Sequence, residues 1–114
     1  MSRFKWTRDD DIIALNAYLQ IGFGKPNGAN NSVVQQAADL ATQKAHRDES
    51  ECTPKSMSMR IGNIISLNPP PHDKRRGLGN AAQQTRDVWK EFQQKGEVWL
   101  AKEMKRIRKS VQNT

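Results

Sequence analysis

Residues 53–67 read TPKSMSMRIGNIISL, and how this stretch is read decides the fold. Thr53 suits an N-cap, and Pro54 falls at the first helical position, where a missing N–H costs nothing. Asn68 stands before Pro69, and a residue before proline avoids helical geometry, so a helix of about four turns is predicted over 54–67. At about 100° per residue Met57, Ile61, Ile64 and Ile65 share one face, that of a core helix. Lys55, Ser56, Met59, Gly62, Asn63 and Ser66 fall on the other, with Arg60 on the border. This outer face is small, polar and cationic, and no carboxylate occurs between Cys52 and Asp73. Solvated helices usually mix both signs of charge, so a face without acid suits a partner that carries phosphates.

Upstream, two more helices are predicted. FKWTRDDDIIALNAYLQIGFGK (4–25) opens with Thr7 and Asp10 spaced as a capping box, and Asp9, Asp10 and Asp11 complement the positive end of the helix dipole. Ile12, Leu15 and Leu19 recur at helical spacing, Ile13 and Tyr18 broaden the stripe, and Gly22 and Gly24 stop the helix. Three consecutive aspartates could suggest a metal site, but neighbours in sequence point in different directions around a helix. After the turn-rich KPNGANN (25–31), Ser32 and Gln35 read as a second capping box. The segment they open, SVVQQAADLATQKAH, presents Val33, Ala37, Leu40 and Ala41 on one face, and its small residues favour close packing.

Downstream, NPPPHDKRRGLGNAAQQ (68–84) has no apolar period and reads as a long loop with a basic arm at Lys74, Arg75 and Arg76. Thr85 is expected to cap TRDVWKEFQQK, anchored by Val88, Trp89 and Phe92. Gly96 then breaks or bends the chain before EVWLAKEMKRIRKSVQ (97–112). Leu100, Met104, Ile107 and Val111 form its apolar stripe, and Lys102, Lys105, Arg106, Arg108 and Lys109 load the other faces.

The expected architecture is therefore all-α, a single domain of four to five helices over 1–114. Residues 6–67 form a three-helix core, 68–84 the proline-rich basic loop and 85–111 the C-terminal helices. The net charge of +7 is lopsided: residues 1–51 hold six Lys and Arg against seven Asp and Glu, whereas residues 52–114 hold thirteen against five. A one-sided basic surface suits a polyanion. One cysteine, Cys52, cannot form an internal disulfide, no leader precedes the first helix, and no apolar run reaches membrane-spanning length. A cytoplasmic protein with no membrane association is expected.

Catalytic chemistry is hard to assemble from this chain. His46, Cys52 and His72 lie on separate segments without zinc-site spacing. No phosphate-binding glycine loop, GxSxG or HExxH occurs. No enzyme activity, cofactor or metal is expected.

WTRDDDIIALNAYL, TPKSMSMRIGNIISLNP and GLGNAAQQTRDVWKEF, in this order, resemble the N-terminal helical region that precedes the nuclease domain of bacterial HNH-type (McrA-like) endonucleases. The resemblance runs from Trp6 to about Ile107, and the order and spacing of the three motifs carry it. It implies a non-catalytic DNA-recognition module acting on specific or modified DNA in a restriction, defence or regulatory context. The chain departs from that family at its end, since the His-rich nuclease region does not follow before Thr114. This implies a free-standing binder or one that works with a separate nuclease or regulatory protein.

The first three helices also suggest a helix-turn-helix of the Myb type, with a tryptophan near the start and a basic third helix that enters the major groove. On that reading Lys55, Ser56, Met59, Arg60, Asn63 and Ser66 meet bases and phosphates, Asn63 reading adenine and Met59 a pyrimidine methyl. Lys74, Arg75, Arg76, Lys105, Arg108 and Lys109 supply phosphate contacts that set register. The alternative is a protein-interaction adaptor or inhibitor anchored on Trp89 and Trp99. RNA binding ranks last, because no aromatic cluster lies beside the basic runs.

Overall fold

A computed structural model describes residues 6–23, 25–26, 28–44, 52–68, 71–73, 75 and 82–112. The described residues are all-helical: α1 (Arg8–Ile21), α2 (Ser32–Lys44), α3 (Pro54–Leu67) and α4 (Gln83–Gln112). Among them no helix is long and apolar enough to cross a membrane.

α1 begins as its sequence predicts. The Thr7 hydroxyl accepts from the Asp10 N–H, and the Asp10 carboxylate accepts in return from the Thr7 N–H at 2.9 Å. The helix ends at Gly22, whose φ of 85° lies in the region that favours glycine. Instead of a single apolar stripe, residues 10–15 are all buried, as are Ala17, Tyr18 and Ile21. A helix covered around most of its circumference, save a strip along Asp9, Asn16 and Gln20, is a central helix, and the others wrap it.

Specific contacts set the directions of the wrapping helices. α3 runs parallel to α1, since Arg60 meets Asp11 and Asn68 meets Tyr18. α2 runs antiparallel: Lys44 reaches Asp9, while Val33 sits with Ala17 and Gln20 around a shared cleft. α4 bends. Gly96 adopts φ 79° and ψ −171°, a conformation open essentially to glycine alone, and divides it into 83–95 and 97–112. The first half crosses α1, Gln84 and Thr85 meeting Asp11, Trp89 meeting Tyr18 and Glu91 accepting from Arg8. The second half returns against it, Leu100 beside Leu19 and Arg106 on Asp9.

Two expected caps are corrected. Asn31, not Ser32, caps α2: its side-chain oxygen accepts from the Val33 N–H at 2.8 Å, and the buried face turns by one residue to Val34, Ala37, Ala38 and Ala41. Thr85 does not cap α4, which starts two residues earlier; Thr85 is buried, and its hydroxyl donates to Asp11 at 2.8 Å. That buried acceptor offers more than an exposed backbone N–H that water would also satisfy.

On α3 the predicted core face is buried, with Met57, Ile61, Ile64 and Ile65 at most 2% exposed. Thr53 accepts from the Ser56 N–H at 3.1 Å, and Pro54 opens the helix. Gly62 is buried as well, so the outer face is narrower than expected.

Candidate nucleic-acid interface

The three aspartates that open α1 have three separate uses. Asp10 belongs to the cap, and burial holds its carboxyl above the ordinary value against the hydrogen bonds from Thr7. Asp9 accepts from Arg106 at 2.6 Å and Lys44 at 3.1 Å. Burial raises its carboxyl, but those hydrogen bonds and charges outweigh it, so Asp9 titrates below the usual range. Asp11 is fully buried and accepts four hydrogen bonds: from Arg60 Nε at 2.6 Å, Arg60 Nη2 at 2.9 Å, Gln84 at 2.7 Å and Thr85 at 2.8 Å. The Arg60 guanidinium also lies 4.7 Å from the centre of the Trp6 ring. One carboxylate thereby ties α1, α3 and the start of α4 together, and it takes Arg60 out of the pool of free cations.

Arg75 is similarly engaged. Its backbone N–H and guanidinium donate to Asp73 at 2.8–3.1 Å, and the guanidinium packs 5.2 Å from the centre of the Tyr18 ring. Asp73 is fully buried, and burial alone would raise its carboxyl. The bonds from Arg75 and from the Tyr18 hydroxyl outweigh this and hold it down to about 2. Burial pushes the Tyr18 hydroxyl up to about 12, and Asp73 adds to the rise, against the bond that Asn68 donates. Arg75 thus fastens Asp73 and itself to α1. Lys74 and Arg76 lie outside the described residues.

The remaining site residues form two groups. Along the outer face of α3, Lys55 and Met59 are exposed, while Ser56, Asn63 and Ser66 are half-buried. The Ser66 hydroxyl donates to the Asn63 carbonyl at 2.6 Å, which leaves the Asn63 carboxamide available. Along the end of α4, Lys105, Arg108 and Lys109 are exposed around an open hollow with Gln112. Among the described residues neither Lys55 nor these three cations has a carboxylate partner. Arg106, between them, is committed to Asp9 and Glu103, which raises its pKa.

The two groups are not neighbours. Asp9 and Asp11 stand about 200° apart around α1 by the helical period. Asp11 holds α3 and the first half of α4, while Asp9 holds α2 and the second half. The wrapping order is therefore α3, 83–95, 97–112, α2, and the α3 face and the α4 cations look out on opposite sides of the central helix.

No three His, Cys, Asp or Glu among the described residues come together to hold a metal ion. A cleft of about 190 Å³ between α1, α2 and α4, floored by Ile13, Ala17, Val33 and Met104, is below the usual size of a substrate pocket.

Sequence reading missed Asp11, Asp73 and Tyr18 as organising residues. The available signal was that Asp11 falls on the same α1 face as Leu15 and Tyr18, four and seven residues on, where an acid must find buried partners. Comparison with known proteins finds no matching family model, no matching curated protein and no matching solved structure.

Proposed function

We propose that this chain is a non-catalytic, cytoplasmic module that binds double-stranded DNA through the outer face of α3, in a helix-turn-helix arrangement of α1, α2 and α3. The observation that carries the reading is how the charges are sorted. Asp9, Asp11, Asp73, Glu91 and Glu103 are consumed by internal partners, whereas Lys55 stands exposed on a face without a single acid. Phosphates attract such a surface, and Lys or Arg bound to them releases counterions.

Lys55 at the start of α3 acts on phosphate, while Asn63 and Met59 meet base edges, Met59 offering its 54% exposed side chain to a pyrimidine methyl. Specific or modified DNA is the target class, and a separate nuclease or regulatory protein would supply any chemistry. The adaptor reading loses its anchors, because Trp89 and Trp99 pack against the core and Lys95 covers Trp99 at 6.0 Å.

Duplex affinity measured from low to moderate salt tests the reading. Log affinity should fall linearly with log salt, at about 0.9 per phosphate contact. A flat dependence, or no binding at low salt, overturns it. Selection from random duplex pools with and without cytosine methylation identifies the target.

A further inference from the structure

We infer that the protein holds two DNA duplexes at once, one on the outer face of α3 and a second on the basic surface of the 97–112 helix. The inference rests on the DNA-binding reading above and extends it to a bridging function. Three observations carry it.

The first is placement. α1 lies between the two surfaces, and helix axes pack about 8–10 Å apart, so the outer faces are separated by about three helix diameters, or roughly 30 Å, and point away from each other. A major groove about 12 Å wide receives one of them and leaves the other outside.

The second is charge. On the solvent side of 97–112, opposite the buried Leu100, Met104 and Ile107, stand Lys102, Lys105 and Lys109, with Arg108 at the flank. Among the described residues none of the four has a carboxylate partner. They form a row about 10 Å long by the helical rise, which meets several duplex phosphates.

The third is the contrast with Arg106. That residue, in the middle of the row, is exposed yet spent on Asp9 and Glu103 at 2.6 and 2.7 Å. The burial of Leu100, Met104 and Ile107 sets the roll of the helix, so the other cations project outward. This surface offers cations and no readable carboxamide besides Gln112, so it grips the second duplex by backbone and carries little sequence preference.

The test uses the full chain with two duplexes of the same sequence, one biotinylated and one fluorescent. Bead capture of the fluorescent duplex reads bridging, anisotropy of a single duplex reads binding, and calorimetric titration reads stoichiometry. Sedimentation of the protein alone reports whether it self-associates. The inference expects a monomer that binds two duplexes and captures the fluorescent one. Lys55→Glu with Asn63→Ala, and separately Lys105→Glu with Lys109→Glu, should each abolish capture; the second pair should lower single-duplex affinity no more than about tenfold, whereas the first leaves only the salt-sensitive, sequence-indifferent binding of the 97–112 surface. Wild-type binding of one duplex without capture overturns bridging and leaves the DNA-binding reading standing. Absence of any binding overturns both. Capture by a protein dimer that holds one duplex per chain overturns the two-surface arrangement. So does loss of vesicle binding, rather than capture, in the Lys105/Lys109 variant, tested on phosphatidylcholine vesicles containing phosphatidylserine.

Discussion

Replacing Asp11 tests whether the bundle is organised as described. Its carboxylate is fully buried, its main partner Arg60 is only 12% exposed, and the four bonds it accepts come from residues 49 to 74 positions away in sequence. Asp11→Ala leaves the Arg60 guanidinium, the Gln84 amide and the Thr85 hydroxyl without their shared acceptor, and breaking a buried pair by removing one partner costs about 3–5 kcal/mol. For a chain of this size the unfolding entropy is about 0.24 kcal/mol per kelvin, so melting should fall by roughly 12–20 °C. Asp9→Ala serves as the control. Arg106 is 50% exposed, and a solvent-exposed pair contributes about 1 kcal/mol or less, a few degrees. Calorimetry at neutral pH compares the two. A drop below about 4 °C for Asp11→Ala, or equal drops for both variants, refutes the organising role. Pairing Asp11→Leu with Arg60→Met should recover much of the loss, because a buried pair replaced by apolar groups is often close to neutral.

Gly96→Ala should cost about 1–3 kcal/mol and lower melting by roughly 4–12 °C. No atom lies within 4 Å of an added Cβ, so the cost is backbone strain alone, and a thermally silent variant would count against the break in α4. Tyr18 is the single tyrosine, so absorbance at alkaline pH reads it directly: its midpoint should lie near 12 while the fold persists, and a midpoint near 10 in the folded protein contradicts its burial beside Asp73. The Asp73 carboxyl titrates at about 2 in the folded protein against 3.8 ordinarily, so the stability it contributes is complete above about 3.8 and is lost as pH falls towards 2. The melting difference between wild type and Asp73→Asn should therefore shrink across that interval; an unchanged difference at both ends refutes the pairing. Lys55→Ala should lower the salt slope of duplex binding by about 0.9, whereas Arg60→Gln should leave the slope unchanged, since its guanidinium is held by Asp11. Equal changes in slope would show that Arg60 leaves Asp11 to reach phosphate.

The sequence by itself determined what depends on short spans. The Thr7–Asp10 cap, the Thr53–Pro54 start of α3, the stop at Asn68, the break at Gly96 and the buried faces of α3 and 97–112 follow from hydrogen bonds and side-chain periods that close within a few residues. Where two neighbours offered the same chemistry, as Asn31 and Ser32 do, local reasoning chose the wrong one. Only the tertiary structure decided how charges are spent. Arg60 and Lys55 both look like cations of one basic helix, yet one is locked onto a carboxylate 49 positions away and the other is exposed. Asp9 and Asp11 look like one acidic cluster, yet a turn of about 200° sends them to opposite sides of α1, each holding a different pair of helices. The reason is physical: a buried charge must be matched by a partner of opposite sign, and which residue is near enough to match it depends on how the helices wrap around α1, which no local period records.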